Sequence, residues 1–403
     1  MSQSILVIFR LQGLGYALQG WTSSEDEVLL KVRDTTPAIC PRCHQGSRQR
    51  YEKGGWQKIY HGAGFGWRIY LLVRRERYFC PLCRRPFTKI HPLLAPWRRR
   101  TDLAERQLLT SLRGQSFKSV AEKEGISYGI SRRVLQRWVD PEKLLWREQG
   151  EEIALGIDGH SFRGTRMVQT ITDVRSRKPL TILPDGRKDT LCRFLGNIPQ
   201  EIKGRIKEVC LDMDHLVLAS VEKHLPEAEV VIDHFHVIQD ANRRVDEARK
   251  IEQDAHHILI PRKLFLVGQE KLSPGQKKKV VSYCEKCPSL KEFYWMKEAL
   301  RSFYRLKNKT VATRRLKDLI EMTRFCEDAA MLHWGRMLKR WSPYVLNFFD
   351  NRTTNAYTEG IHTKIKMIKR VSFGFRNVQI YVRKVLLCIF PWALLLSLPH
   401  FSS

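Results

Sequence analysis

Acid is scarce in this chain. Its 403 residues hold 42 Asp and Glu against 71 Lys and Arg, a net charge of +29. Such an excess repels itself unless a polyanion binds, and nucleic acid is the usual one. A membrane surface is also anionic, but no long amphipathic helix of Lys and Phe points there. A spanning segment is missing too. The last apolar run, VLLCIFPWALLLSL over 385–398, is interrupted by Pro391 and is too short for a hydrocarbon layer of about 30 Å. It reads as a terminal core or oligomer-contact segment. The opening MSQSILVIFRLQG has neither a charged leader nor a small-residue cleavage site, so no signal peptide is expected. Internal repeats and low-complexity tracts are absent. A soluble intracellular chain of two or three domains, each with a buried core, is expected.

Cysteine, by contrast, is plentiful. Four of the ten fall in two pairs, CPRC (Cys40, Cys43) and CPLC (Cys80, Cys83). In a reducing compartment paired knuckles favour zinc over disulfides. Tetrahedral Zn²⁺ takes four soft ligands, and each CxxC turn offers two sulfurs to one ion. The reading is a zinc ribbon, with His44 a spare ligand. The two knuckles stand 37 positions apart, so the hairpin joining them must be enlarged. A third pair, Cys284 and Cys287 in YCEKC, has no second pair nearby, and the sequence does not decide whether it binds a metal.

Residues 1–36 alternate apolar and polar, which predicts two or three short strands and places a zinc-ribbon DNA-binding domain over 1–95. PWRRR (96–100) is a basic link. Residues 96–148 follow as a helix-turn-helix domain. TDLAERQLLTSLRG gives its first helix, then SFKSVAEKEGISYGISRRVLQRWVD gives helix, Gly125 turn, helix. Val120, Ala121, Ile126, Ile130, Val134, Leu135 and Trp138 recur at helical spacing, with Arg132, Arg133 and Arg137 outward toward DNA.

From Glu152 the texture becomes α/β. EIALGIDGHSF, RMVQTITDV and KPLTILPDG read as consecutive strands, then TLCRFLGNI as helix, IKEVCLDM as strand, HLVLASVEKHL as helix and AEVVIDHFHV as strand. That order is ribonuclease H-like: an antiparallel meander followed by parallel strands with crossover helices. The catalytic core is therefore assigned to 149–240, resumes over 346–403, and is interrupted by an α-helical insertion at 241–345. The fold class is multi-domain α/β.

Three acids fit that topology. Asp158 ends the apolar run IALGID and Asp212 ends VCLD, on strands that should be neighbours. Buried like charges repel unless a cation lies between them. A pair of Mg²⁺ (or Mn²⁺) ions would serve, one activating the attacking water and the other stabilising the leaving oxygen. The third carboxylate must come from a late helix. Glu359 is alone among Lys364, Lys366, Lys369 and Arg370, cations suited to a phosphate backbone. Asp214 and Asp233 compete for the second position. Asp214 is better explained as a helix cap, and Asp233, with His236, as second-shell or DNA-facing. Arg187 and Arg376 are further candidate phosphate contacts.

IDGHSFRG, LDMD, VVIDHFHV and TNAYTEGIHTKIKMIKR followed by GFRN (374–377), behind CPRC and CPLC, resemble the ISL3 family of bacterial insertion-sequence transposases. The resemblance spans nearly the whole chain. It implies a DDE catalytic domain with Asp158, Asp212 and Glu359 as its acids, and Asp233 and His236 matching a D-x-F-H element. Gly159, Val217 and His362 depart from the family's habit of Glu, an aromatic and Asn there. What the resemblance implies is binding of terminal inverted repeats, strand cleavage and transfer to target DNA, a homodimer, and a nucleoid-associated place in the bacterial cytoplasm. An inactive DNA-binding regulator and a non-transposing nuclease are the alternatives.

Overall fold

The computed structural model describes residues 2–64, 66–94, 97–146 and 150–396. Two compact units emerge: Met1–Asp140 with Ile368–Ser403, and Pro141–Met367. The expected boundaries at 95/96 and 148/149 touch residues outside those described, as do the last residues of the 385–398 run. Among the described residues no helix is long and apolar enough to cross a membrane.

The first unit opens on a helix, Ser2–Ile8, where alternation predicts a strand. Ile5, Leu6 and Phe9 pack on the neighbouring core, and that i, i+1, i+4 spacing is one helical face. Five strands then form one sheet, in the order Tyr16–Ser23, Glu27–Asp34, Trp67–Cys80, Arg50–Gly64, with Arg85–Thr88 also pairing to Trp67–Cys80. Arg50–Gly64 and Trp67–Cys80 run for 15 and 14 residues. They are the long hairpin that the knuckle spacing demands.

Three helices follow: Asp102–Gly114, Phe117–Glu124 and Tyr128–Trp138. Thr101 and Ser116 cap the first two with their hydroxyls. Gly125 ends the second at φ 62°, a left-handed turn that suits glycine. Leu108, Leu112, Val120, Val134, Leu135 and Trp138 are buried between them. Helix Val378–Ile389 packs against the first and third of these helices. The reading from sequence grouped all of 346–403 with the catalytic core, whereas this helix completes the first unit with Tyr381, Val385 and Leu386. The start of the 385–398 run is thus core.

The second unit holds a five-stranded sheet in the order Lys178–Leu183, Arg166–Asp173, Ile153–Arg163, Ile206–Leu211, Glu229–Ile232. The first three strands are antiparallel; the last two run parallel to Ile153–Arg163 and to each other. Ile153–Asp158 is buried at every position, the mark of a strand covered on both faces. Asp214 caps helix His215–His224, accepting from the Leu216 and Val217 amides, as the sequence predicts. Residues 234–351 are helical but for short connections, and their core is continuous with the sheet's, from Ile153 and Leu211 through Val245 and Phe303 to Trp334 and Trp341. The α-helical insertion and the sheet therefore share one hydrophobic interior.

Lys384 is fully buried in the first unit, donating to the Gln115 carbonyl at 2.9 Å. Burial pushes its amine down from 10.5 to about 8. The folded state thus disfavours the charge, so stability rises with pH from 8 to 10.5 and is lost on descending through that window. Replacing it by Met should remove the dependence. Denaturation at stepped pH is expected to show the Lys384→Met advantage shrinking by up to about 3 kcal/mol between pH 8 and 10.5; a constant difference contradicts a buried, strained amine.

Candidate metal centre and nucleic-acid contacts

Parallel strands deliver their carboxyl ends to one edge of a sheet, where α/β proteins gather their ligands. Asp158 lies on the central strand, Asp212 immediately follows Ile206–Leu211, and Asp233 immediately follows Glu229–Ile232. Asp233 is 1% exposed and caps the long helix His234–His256 through the Phe235 amide. That helix carries His236 in its first turn.

Glu359 arrives on helix Ala356–Val371. The helix is fastened to the sheet just before its acid. The Thr358 hydroxyl meets Thr172 at 2.7 Å and the Asn355 amide donates to the Ile157 carbonyl at 3.3 Å, both from fully buried side chains. Gly156 makes room for this: a Cβ there would stand 2.6 Å from Asn355 Oδ1 and 2.7 Å from Thr172 Oγ1. No real packing tolerates such contacts.

The acids converge in two groups that share one residue. Asp158, Asp212 and His236 bring one ligand atom each within 4.8 Å of one another; so do Asp233, His236 and Glu359. His236 Nε2 lies 2.8 Å from Asp212 Oδ1 and 4.0 Å from Asp233 Oδ2. Asp158 and Asp212 stand in one group and Glu359 in the other, and His236 belongs to both. Asp233 and His236 each bring a candidate ligand atom within 4.8 Å of Glu359's.

Electrostatics reflect the crowding. Asp158 is pushed up to about 7, first by burial and then by the charges of Asp212 and Glu359. Glu359 is raised, by burial and then by Asp233. His236 stands at about 9: burial opposes its charge, but Asp212, Asp158 and Asp233 outweigh burial. An imidazolium is holding the acids together.

The donors suit divalent cations. Asp233 Oδ2 is buried with no hydrogen-bond partner, a state that costs free energy unless another ligand is taken, and Asp212 Oδ1 is paired with His236 Nε2 at 2.8 Å. Carboxylate oxygens favour Mg²⁺ or Mn²⁺, and one imidazole among them suits Mn²⁺ well.

Two histidines escaped the sequence reading as site residues. His362 Nδ1 lies 3.3 Å from Asp158 Oδ2, and its Nε2 lies 3.0 Å from Thr170 Oγ1. Burial, then Lys366 and His236, push His362 down to about 4, so it faces Asp158 as a neutral ring. His160 Nδ1 reaches the same Thr170 hydroxyl at 3.0 Å. The signal was spacing: His362 is one helical turn beyond Glu359, and His160 shares the strand face of Asp158.

In the first unit the four knuckle sulfurs converge. Cys43 and Cys80 lie 3.5 Å apart, Cys40 and Cys83 4.0 Å apart. These separations bracket the spacing of about 3.8 Å that tetrahedral Zn–S bonds of about 2.3 Å impose, and they exceed any disulfide. Backbone amides of Cys43 and Arg42 hold Cys40 down at about 6, toward the thiolate. His44 is not among the four.

The basic candidates divide. Arg133, Arg187, Lys364, Lys366, Arg370 and Arg376 are exposed, Arg132 and Lys369 half-buried. Arg137 departs from its expected outward role. It forms an ion pair with buried Glu105, which also accepts from Trp138 Nε1 at 2.6 Å. An interior carboxylate needs a cation more than a surface does.

Acids and an imidazole gathered at the carboxyl edge of a sheet, in a strongly basic chain, define a candidate metal-dependent enzyme of nucleic acid. The chain belongs to the ISL3-type DDE transposase family, whose transposase profile it matches over residues 155–385. It is also similar to the transposase for insertion sequence element IS1001 of Bordetella parapertussis, 24% identical over 93% of this chain and 95% of that one. The transposase for element IS1557 of Mycobacterium tuberculosis is 22% identical over 90% and 88%. The family is one of transposases, proteins that act on DNA.

A cation entering the acidic edge competes with protons on Asp158 and His236. Below pH 7 Asp158 must first give up a proton. Mn²⁺ affinity, measured by titration, should climb about tenfold or more between pH 6 and 8; a flat profile would mean the ion binds elsewhere.

Proposed function

We propose that the protein cuts the ends of its element and joins them to target DNA by a DDE mechanism, with Asp158, Asp212 and Glu359 as the catalytic acids. The observation that carries this reading is the pair of ligand-distance groups, Asp158–Asp212–His236 and Asp233–His236–Glu359. The strand order of the second unit, a three-stranded meander beside two parallel strands, supports a ribonuclease H-like core. Two Mg²⁺ or Mn²⁺ ions, when bound there, would supply an activated water or hydroxyl and charge to stabilise the leaving oxygen.

The chain's own residues do the rest. Asp158, Asp212 and Glu359 would hold the ions, and Asp233 caps the start of the helix that carries His236. His362 and Thr170 keep the Asp158 carboxylate oriented. A proton resides on His236 while the acids are otherwise unneutralised, and leaves it when cations take over that task. Lys364, Lys366, Lys369, Arg370 and Arg376 are the proposed grips on the phosphodiester backbone, fixing register without reading sequence.

Arg132 and Arg133 on the third helix of the helix-turn-helix, with a zinc ion at Cys40, Cys43, Cys80 and Cys83, are proposed to recognise the terminal inverted repeats. Water attack frees 3′-hydroxyls, which then attack target DNA, so no protein–DNA covalent bond forms. Both ends must be cut together, which calls for a homodimer, working at the nucleoid in the cytoplasm.

Labelled element ends with Mg²⁺ or Mn²⁺ test this. Asp158→Asn and Glu359→Gln should each lower nicking by at least about a thousandfold, with end binding unchanged. Intact nicking in Asp158→Asn refutes the assignment. Binding without nicking by the parent protein points to a regulator, and nicking without joining to a nuclease.

A further inference from the structure

A separate cluster of metal-type side chains lies in the helical part of the second unit. Glu252 and His256 stand one turn apart near the end of helix His234–His256, on one face. His256 Nε2 is 3.2 Å from Glu252 Oε2. Cys287 comes from the junction of helices Pro274–Lys286 and Pro288–Phe303, where it is the N-cap of the second. It is fully buried, with its thiol against the Glu252 carboxylate. One ligand atom from each of the three lies within 4.8 Å of the others.

The way Glu252 is held is an independent sign. Its Oε1 accepts from the Ser289 and Leu290 amides at 3.1 and 3.4 Å. The Ser289 hydroxyl in turn donates to Asp328 at 3.0 Å. One carboxylate oxygen is thereby spent on the helix start, and the other faces His256. Metal-binding carboxylates are oriented by outer hydrogen bonds of this kind. A cap alone requires neither a buried thiol nor an imidazole beside it.

We propose that Glu252, His256 and Cys287 form a zinc site that clamps the end of the long helix to the junction of the next two. Sulfur, imidazole nitrogen and carboxylate oxygen together select Zn²⁺ over Mg²⁺. Three protein ligands leave the fourth position to water. The side chain of His256 is 47% exposed, which gives the ion its way in. Binding replaces the thiol proton, which passes to solvent. Cys284, the other half of the CxxC, is buried in the hydrophobic core instead and takes no part. The clamp anchors the far end of the helix that presents Asp233 and His236.

Equilibrium dialysis of the full chain against micromolar free zinc tests the site. The parent should hold one zinc per chain more than Cys287→Ser and than His256→Ala, the latter a surface change that leaves folding alone. Cys284→Ser should match the parent. The Cys40–Cys83 quartet is common to all four proteins and cancels. Equal zinc in parent, Cys287→Ser and His256→Ala overturns the proposal, as does loss of the extra ion in Cys284→Ser alone.

Discussion

Like charges forced into a poorly solvated space must be neutralised or kept protonated. Asp158, Asp212, Asp233 and Glu359 meet that constraint around His236. Much of what surrounds the sheet's carboxyl edge follows from it. Asp158 rises toward neutrality, His236 keeps its proton beyond its usual range, and Asp233 Oδ2 is buried without a hydrogen bond. A structural ion-pair network would pair every acid with Arg or Lys, as Asp246 is paired with Arg249 and Arg262. Here the cation set between the acids is His236, one that titrates.

The fold's part is to make the crowding unavoidable. Asp212 and Asp233 sit where neighbouring parallel strands stop, so the sheet sets their backbones side by side. Asp158 is fixed in mid-strand opposite Thr170. Glu359 is the one acid from a helix, and Gly156 lets that helix lie close enough for Asn355 and Thr358 to bond to the sheet. Precision at the site is thus bought by hydrogen bonds a turn away from it.

The strands and their acids were legible because burial on both faces leaves an unbroken apolar run, and an acid ending such a run stands out. Asp214 could be set aside as a cap for the same local reason. The enlarged hairpin was legible from the knuckle spacing. What escaped was non-local. Nothing near Arg137 says that Glu105, a whole helix earlier, will claim it, and nothing in 378–389 says that its apolar face packs against helices Asp102–Gly114 and Tyr128–Trp138. Ser2–Ile8 shows the limit of short patterns, since alternation over a few residues fits a strand and a helix alike. The placement of His236 between two acid groups depends on three strand ends and two helices at once.

His236 also suits a site proposed to exchange a proton for a divalent ion. A permanent Lys or Arg in its place would neutralise the acids so well that a divalent ion could gain little by entering. No cation at all would leave the acids to repel one another or stay protonated, and the fold would lose stability as pH rose. An imidazole lies between these extremes. Its charge is present when the acids need it, and its proton can depart when a stronger cation arrives, leaving a nitrogen free to ligate. The neighbouring His362 does the complementary task, because a ring kept neutral can orient Asp158 without competing for the ion.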